Sequence, residues 1–197
     1  MNKELFLIGR VPNERQYDLA KVVSLGTKTG TMLPKSYDSV LDLFKKEHSF
    51  VTFNDREPIG HAALTFEWDD GWFELGGVYT DPEYFHQGIA LGTVLGLLDH
   101  TRKKYPDGKF FALANEKSSG LFAKMGGRVM SNDELPGTVW SACETCPIKP
   151  ENLKGDITMC CDTPYDLTNA KRSMTNGAAY IRVSPSQIYP NPYGIGR

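Results

Sequence analysis

The chain has 197 residues, of which 40% are hydrophobic and 23% are charged. This length predicts one domain with its own hydrophobic core, and this composition argues against a disordered, collagen-like or coiled-coil chain. The 22 basic and 24 acidic side chains are scattered and give a net charge of -2, so charge offers no basis for nucleic-acid binding.

Apolar runs in this sequence are short. None approaches the ~18 to 20 consecutive apolar residues that a membrane-spanning helix requires. The first residues also lack the apolar region and small-residue cleavage site of a signal peptide. We therefore expect a cytoplasmic protein with no membrane partner.

The first quarter of the chain predicts one strand and two helices. Residues 3–9 are typical of a short strand, and residues 13–25 carry apolar side chains at helical spacing. Ser36 is a suitable N-cap for a second helix, which ends near Lys45 and Lys46, where cations suit the helix dipole.

A run of strand patterns follows. Residues 49–53, 59–68 and 72–80 are separated by turn sequences and predict an antiparallel meander. An amphipathic helix is predicted from about Gly88 to Lys104.

The next predicted elements are a strand at residues 110–114 and a helix at residues 118–125, which ends at Gly126 and Gly127. A strand, a crossover helix and a second strand imply one parallel pair inside an otherwise antiparallel sheet. The predicted fold class is α/β of the α+β kind, with a mixed, mostly antiparallel central sheet flanked by helices.

The character of the sequence changes after Trp140. We divide the chain into a domain at residues 1–142, a Cys-rich loop at residues 143–167 and an extended C-terminal arm at residues 168–197. The arm is rich in Tyr and Pro and could wrap this domain or a second subunit, which suggests a homodimer.

All four cysteines lie in the predicted Cys-rich loop. Cys143, Cys146, Cys160 and Cys161 could bind zinc as four thiolates and so staple a segment that has little core. Adjacent cysteines are awkward ligands for one ion, however, and reduced thiols are the usual state in the cytosol. A redox disulfide is a third alternative.

The most informative segment runs from Val78 to Ala90, where a strand enters a tight loop and then a helix. Backbone N–H groups at a helix start lack intrahelical acceptors and point at one place, where a phosphate gains hydrogen bonds and the positive end of the dipole. The alternative is an ordinary strand-to-helix turn, since Gly88 and Ala90 alone make a weak motif.

This segment, with its neighbours, resembles the GNAT superfamily of acyl-CoA N-acyltransferases. The similarity covers residues 50–130 and rests on V-x-x-D-P-E-Y at Val78–Tyr84, on the loop at His86–Ala90, and on A-N-x-x-S-x-x-L-F-x-K-M-G at Ala114–Gly126. It implies a GNAT-like fold, acetyl-CoA as cosubstrate and transfer of the acyl group to an amine.

The resemblance also implies roles for individual residues. Val78 would donate its N–H to the thioester oxygen and, with Tyr79 and Thr80, hold the pantetheine arm, which Asn115 would also bond. The pyrophosphate would lie on the following loop and helix start, formed by Phe85, His86, Gln87, Gly88, Ile89 and Ala90. The family's loop usually has Arg or Gln at the position of Phe85 and Gly at the position of His86. Phe122 stands where the family often has a Tyr that acts as the general acid. Without that Tyr, either water would protonate the leaving thiolate or the thiolate would leave unprotonated.

Glu74 is the leading candidate for the general base because it lies on the Val78 strand, four residues earlier, and can act directly or through water. Its alternative role is a solvated carboxylate at a strand edge, and Glu67 is the reserve base. His86 is better placed for phosphate than for an amine. The remaining histidines are more typical of surface or packing residues: His48, His61 and His100.

A finer resemblance connects the chain with the short bacterial N-acetylglutamate synthases. It rests on Lys35-Ser36, on residues 134–140, and on Cys143-x-x-Cys146-Pro147, whereas the spacing to the next cysteine is longer here. It implies a small amine acceptor, with glutamate the first to test, and Lys35 and Arg128 as cations for a substrate carboxylate. Two alternatives stay open: transfer to a polyamine, an antibiotic or a protein N-terminus, or a non-catalytic acyl-CoA-binding module.

Overall fold

The computed structural model describes residues 5–11, 13–26, 35–55, 57–146, 163–170 and 179–182. The helices in this part of the chain are α1 (Gln16–Gly26), α2 (Tyr37–Lys45), α3 (Ile89–Lys104), α4 (Glu116–Lys124) and α5 (Gly137–Ser141). The strands are β1 (Leu5–Gly9), β2 (Ser49–Asn54), β3 (Glu57–Trp68), β4 (Trp72–Thr80), β5 (Lys109–Ala114), β6 (Arg128–Val129), β7 (Thr163–Asp166) and β8 (Ala179–Arg182).

The described strands form one sheet in the order β6-β7-β5-β4-β3-β2-β1-β8. The pairs β4–β5 and β1–β8 are parallel and the other neighbours are antiparallel. The parallel β4–β5 pair is joined by α3, as a strand, crossover helix and strand require. The predicted mixed, mostly antiparallel sheet flanked by helices is confirmed.

The helices begin where the sequence supplies caps. Ser36 Oγ accepts a hydrogen bond from the Ser39 N–H at 3.2 Å and starts α2. Asn115 Oδ1 accepts from the N–H groups of Lys117 and Ser118, both at 3.1 Å, so α4 begins at Glu116 and not at the predicted residue 118. Both are N-cap contacts of the kind that satisfies otherwise unpaired helix donors.

The sheet buries both faces, with different helices on each. On one face α3 and α4 cover a large core that includes Phe50, Leu75, Leu98 and Phe110. On the other face α1 and α2 cover the β1–β3 half, while the segment around α5 covers Phe111 at the β5 side. The β3–β4 surface between these two packed regions carries the polar side chains of the candidate site.

One expectation for the C-terminal third needs correction. Thr163–Asp166, placed in the predicted Cys-rich loop, is strand β7 and fills the sheet between β5 and β6. Ala179–Arg182, which lies in the predicted C-terminal arm, forms strand β8 and pairs with β1. Each is only four residues long, so neither shows the alternation that would reveal a strand; their partners are supplied by tertiary contact. Among the helices of the described residues, none combines the length and the hydrophobicity that a membrane span needs.

Candidate functional site

Strands β4 and β5 separate along the sheet. Their parallel ladder pairs Trp72, Phe73 and Glu74 with residues 109–111, and pairing between these two fully described strands stops there. Beyond Glu74 the rest of β4 leaves β5, which pairs on its other side with β7. The separation leaves backbone groups of residues 75–80 facing a gap in the middle of the sheet, as the GNAT resemblance implies.

A β-bulge in β4 accompanies this separation. His61 pairs with Tyr79 but Ala63 pairs with Gly76, so β4 has one extra residue opposite β3. Gly77 lies in the bulge with a left-handed φ of 59°. The bulge turns the backbone beside Val78, and the Gly76-Gly77 pair in a strand pattern was the sequence signal that could have predicted it.

The buried side chain of His61 forms a hydrogen bond to the backbone of this bulge. Its ring is fully buried, and Nδ1 donates a hydrogen bond to the Gly77 carbonyl at 2.8 Å. Because Nδ1 carries the proton, Nε2 is the acceptor for the Ser49 hydroxyl at 2.5 Å. The residues Ser49 and His61 therefore fix the carbonyl of the bulge, a role beyond the surface or packing role expected for His61.

Burial lowers the pKa of His61 from 6.5 to about 4; the charge of Lys35 also lowers it, and the bond to Gly77 acts in the opposite direction. Between these values the unfolded chain binds a proton that the folded chain does not. We therefore expect the free energy of unfolding to fall by up to about 3 kcal/mol as the pH decreases from 6.5 to 4. In His61→Gln this decrease should be smaller, as measured by denaturant unfolding at several pH values. Equal pH dependence in both proteins would contradict the prediction.

The loop from β4 into α3 leaves the helix start without a side-chain cap. His86 and Gly88 have left-handed backbones, with φ of 63° and 80°. Gly88 is the N-cap of α3 and brings no side chain that could cap it. The N–H groups of the first helical turn therefore lack acceptors within the helix, and the helix dipole favours an anion beside them.

One buried hydroxyl near this loop lacks a partner. Within the described part of the chain, Thr80 Oγ1 is buried without a hydrogen bond. An unsatisfied buried polar atom costs about 1–3 kcal/mol. The GNAT resemblance implies that the pantetheine arm of acetyl-CoA would lie between β4 and β5 with its pyrophosphate on α3, and this hydroxyl belongs to the last residue of β4 before that loop.

Glu74 lies at the point where β4 and β5 part. It is half-buried, and its Oε2 accepts a hydrogen bond from Trp68 Nε1 at 3.2 Å. Burial raises the pKa of Glu74, while the Trp68 bond and the charge of Lys35 lower it. Glu74 is therefore not the solvated edge carboxylate considered as its alternative, and its raised pKa suits a group that takes up a proton.

Lys35 lies two residues before the start of α2, and its side chain interacts electrostatically with Glu74. A Cβ added to Gly77 would lie 2.9 Å from Lys35 Cε, so the lysine stem covers the bulge. Burial lowers the pKa of Lys35, and the charge of Glu74 raises it. The structure thus brings Lys35, Glu74 and the Gly77 bulge together; Trp68 was missed because its bond to Glu74 depends on the β3–β4 register.

The other predicted residues lie elsewhere. Arg128 donates to Glu134 Oε1 and Oε2 at 3.1 and 2.8 Å and lies 3.4 Å from Asp166 Oδ2, on the edge strand β6. It is three strands from β4, so the structure does not bring it to Lys35. Asn115 Oδ1 caps α4, which leaves only its amide nitrogen for a ligand.

The side chains of the predicted loop differ in exposure. Phe85 and His86 are exposed, Gln87 and Ala90 are half-buried, and Ile89 is buried against Ile59. The side chains therefore share no single orientation toward a ligand, and the groups that every residue of the loop could offer to a phosphate are those of the backbone. Phe122, at the position of the family's usual Tyr, is buried in the core under α4.

The predicted zinc site falls partly on residues outside the description. Cys160 and Cys161 are not among the described residues, whereas Cys143 and Cys146 are half-buried after α5. The Cys143 thiol lies 4.0 Å from the Val139 carbonyl oxygen. Among the described residues, no three His, Cys, Asp or Glu side chains are grouped to hold a metal, so zinc stays a prediction.

Solved structures with similar folds were found. N-acetylglutamate synthase from Neisseria gonorrhoeae, complexed with coenzyme A and L-arginine, has a TM-score of 0.57 and 18% identity over 70% of this chain. The chain spans 30% of the length of that enzyme. Rv2747 from Mycobacterium tuberculosis, in complex with CoA and NLQ, has a TM-score of 0.57 and 17% identity, covering 80% of this chain and 96% of its own.

An acetyltransferase of the GNAT family from Staphylococcus aureus has a TM-score of 0.55 and 15% identity, covering 82% of this chain and 99% of its own. At these identities the similarities concern the fold alone. No curated protein sequence matches the chain significantly. The Acetyltransferase (GNAT) family profile matches residues 23–127, which is more than half of the chain. The protein therefore belongs to the GNAT acetyltransferase family.

Proposed function

We propose that the protein transfers the acetyl group of acetyl-CoA to the amino group of a small acceptor, and that this acceptor is a free amino acid. The observation that carries the proposal is the opening between β4 and β5, which begins beside Glu74 and ends at the uncapped start of α3. An acyl-CoA needs such an arrangement: a slot for its arm and N–H donors for its phosphates.

The reaction itself assigns tasks to the residues. Bound acetyl-CoA supplies the thioester: an N–C bond forms, the C–S bond breaks, one proton leaves the amine and the CoA thiolate is released. The Val78 N–H, beside the bulge, would donate to the thioester oxygen, where negative charge develops. Glu74, four residues earlier on the same strand, would take the amine proton through bridging water.

An amino acid suits the charges around the acceptor position. Lys35 provides a cation for a carboxylate, and Glu74 provides a carboxylate for an ammonium group. The similarity in fold to N-acetylglutamate synthase makes glutamate the reference compound for the assay. A cytoplasmic location, a homodimer and zinc in the Cys-rich segment stay predictions.

Titration calorimetry with acetyl-CoA, followed by assay of CoA release with a panel of amines, tests the proposal. We expect binding, and release that depends on the amine. Gly88→Val should abolish binding because a β-branched residue is strained at φ 80° and crowds the phosphate position. Thr80→Val keeps the shape and should weaken binding roughly tenfold by removing the buried hydroxyl.

Two outcomes would contradict the proposal. Unchanged affinity in both variants would move the acetyl-CoA site away from the β4–β5 gap. Tight acetyl-CoA binding without turnover of any amine would favour a non-catalytic binding module instead.

A further inference from the structure

Aromatic side chains surround Glu74 on its face of the sheet. Phe66 is its cross-strand partner on β3, and Phe111 is its partner on β5. In an antiparallel pair such as β3–β4, directly opposite residues have Cβ atoms about 4.5–5.5 Å apart. Trp68 donates to Glu74 and packs beside Phe66, with ring centroids 5.5 Å apart.

Phe66 is exposed although it stands next to this carboxylate. Its relative exposure is 57%, whereas its neighbour Trp68 is half-buried in the cluster around Phe111. A large ring left open to water beside a candidate base offers apolar area that a ligand can cover. We call Phe66 and Trp68 the aromatic wall.

The charges beside the aromatic wall restrict the ligand further. Lys35 interacts electrostatically with Glu74, and both groups are partly removed from water. A substrate carboxylate beside Lys35 and a substrate ammonium beside Glu74 would each lie next to a charge of opposite sign. A second substrate carboxylate would repel Glu74 and lose its hydration against the wall, and a second ammonium would repel Lys35.

We infer that the acceptor is an α-amino acid with an aromatic side chain, with its carboxylate on Lys35, its amino group toward Glu74 and its ring on the aromatic wall. The inference rests on the proposed function and narrows its acceptor. Stacked or edge-to-face rings are favourable beyond the apolar area that they bury, which distinguishes this acceptor from glutamate and from polyamines.

The test is steady-state CoA release with L-phenylalanine, 2-phenylethylamine, L-glutamate and spermidine at saturating acetyl-CoA. We expect the highest kcat/KM for L-phenylalanine, with 2-phenylethylamine lower because it lacks the carboxylate. A higher kcat/KM for L-glutamate would overturn the inference and leave the proposed function intact, whereas a higher kcat/KM for spermidine would overturn both the inference and the proposed amino-acid acceptor. If acetyl-CoA binds but no amine is acetylated, the proposed function fails, and this inference fails with it.

Three variants test separately the proposed contact of the substrate ring with the aromatic wall and the proposed contact of the substrate carboxylate with Lys35. Phe66→Ala should raise the KM for L-phenylalanine roughly tenfold with little change in kcat. The matched control is Val129→Ala on β6, because Val129 is also 57% exposed but lies three strands from β4; it should leave KM unchanged. Lys35→Met should abolish the preference for L-phenylalanine over 2-phenylethylamine. A preserved preference in Lys35→Met, or a KM unchanged in Phe66→Ala, would overturn the corresponding contact.

Discussion

Replacement of Glu74 by Gln is expected to lower kcat by roughly 10²–10⁴-fold, the usual range for loss of a general base. The amide keeps the shape of the side chain and can still accept a hydrogen bond from Trp68 Nε1, so the fold and the affinity for acetyl-CoA should change little. Steady-state kinetics together with calorimetry would show whether the loss is confined to the chemical step.

The pH dependence gives a second readout. Glu74 accepts a proton only when ionised, so wild-type activity should decline as the pH falls through its pKa, which burial raises above the usual value. Glu74→Gln should lose this acidic limb. Glu67→Gln tests the reserve base: Glu67 pairs with Phe73, whose ring lies in the core under α3, so its side chain is on the opposite face of the sheet from Glu74. If Glu67→Gln and not Glu74→Gln lowered kcat, the base would be Glu67.

Much of the central fold could be predicted because its signals are local. The cap at Ser36, the three strands between residues 49 and 80, and the amphipathic α3 each depend on residues close together in the chain. The strands β7 and β8 could not be predicted, since four residues such as Thr163–Asp166 are fixed only by pairing with strands distant in the sequence.

The candidate site was predictable only in part, for a related reason. Glu74, Val78 and the α3 loop follow one another along the chain, and the family resemblance assigns them roles. The contacts that tune them depend on register: Trp68 reaches Glu74 across a hairpin, and His61 reaches Gly77 because β4 has an extra residue. Arg128 was predicted to bind a substrate carboxylate because of its residue type alone. Its ion pairs with Glu134 and Asp166 depend on tertiary contacts that the sequence does not show.

The β4 bulge leads to the second large expected effect. Gly77→Ala should lower kcat/KM for acetyl transfer by roughly 10²-fold, the loss expected when reacting groups are misplaced by about 1 Å. The new Cβ would lie 2.9 Å from Lys35 Cε and 3.5 Å from His61 Cε1, in a backbone with φ of 59°. Lys35 must then move away from Glu74, or the bulge must flatten and shift the Val78 N–H.

Gly71→Ala is the matched control for backbone strain. Gly71 has a similar φ of 72° in the β3–β4 turn, but an added Cβ would meet no atom within 4 Å. Both variants should lose about 1–2 kcal/mol in free energy of unfolding, because an L-residue is strained in the left-handed region. Only Gly77→Ala should also lose activity at temperatures where both proteins are folded. Equal kcat/KM in the two variants would mean that the bulge does not position the reacting groups, since the same backbone strain would then account for everything observed.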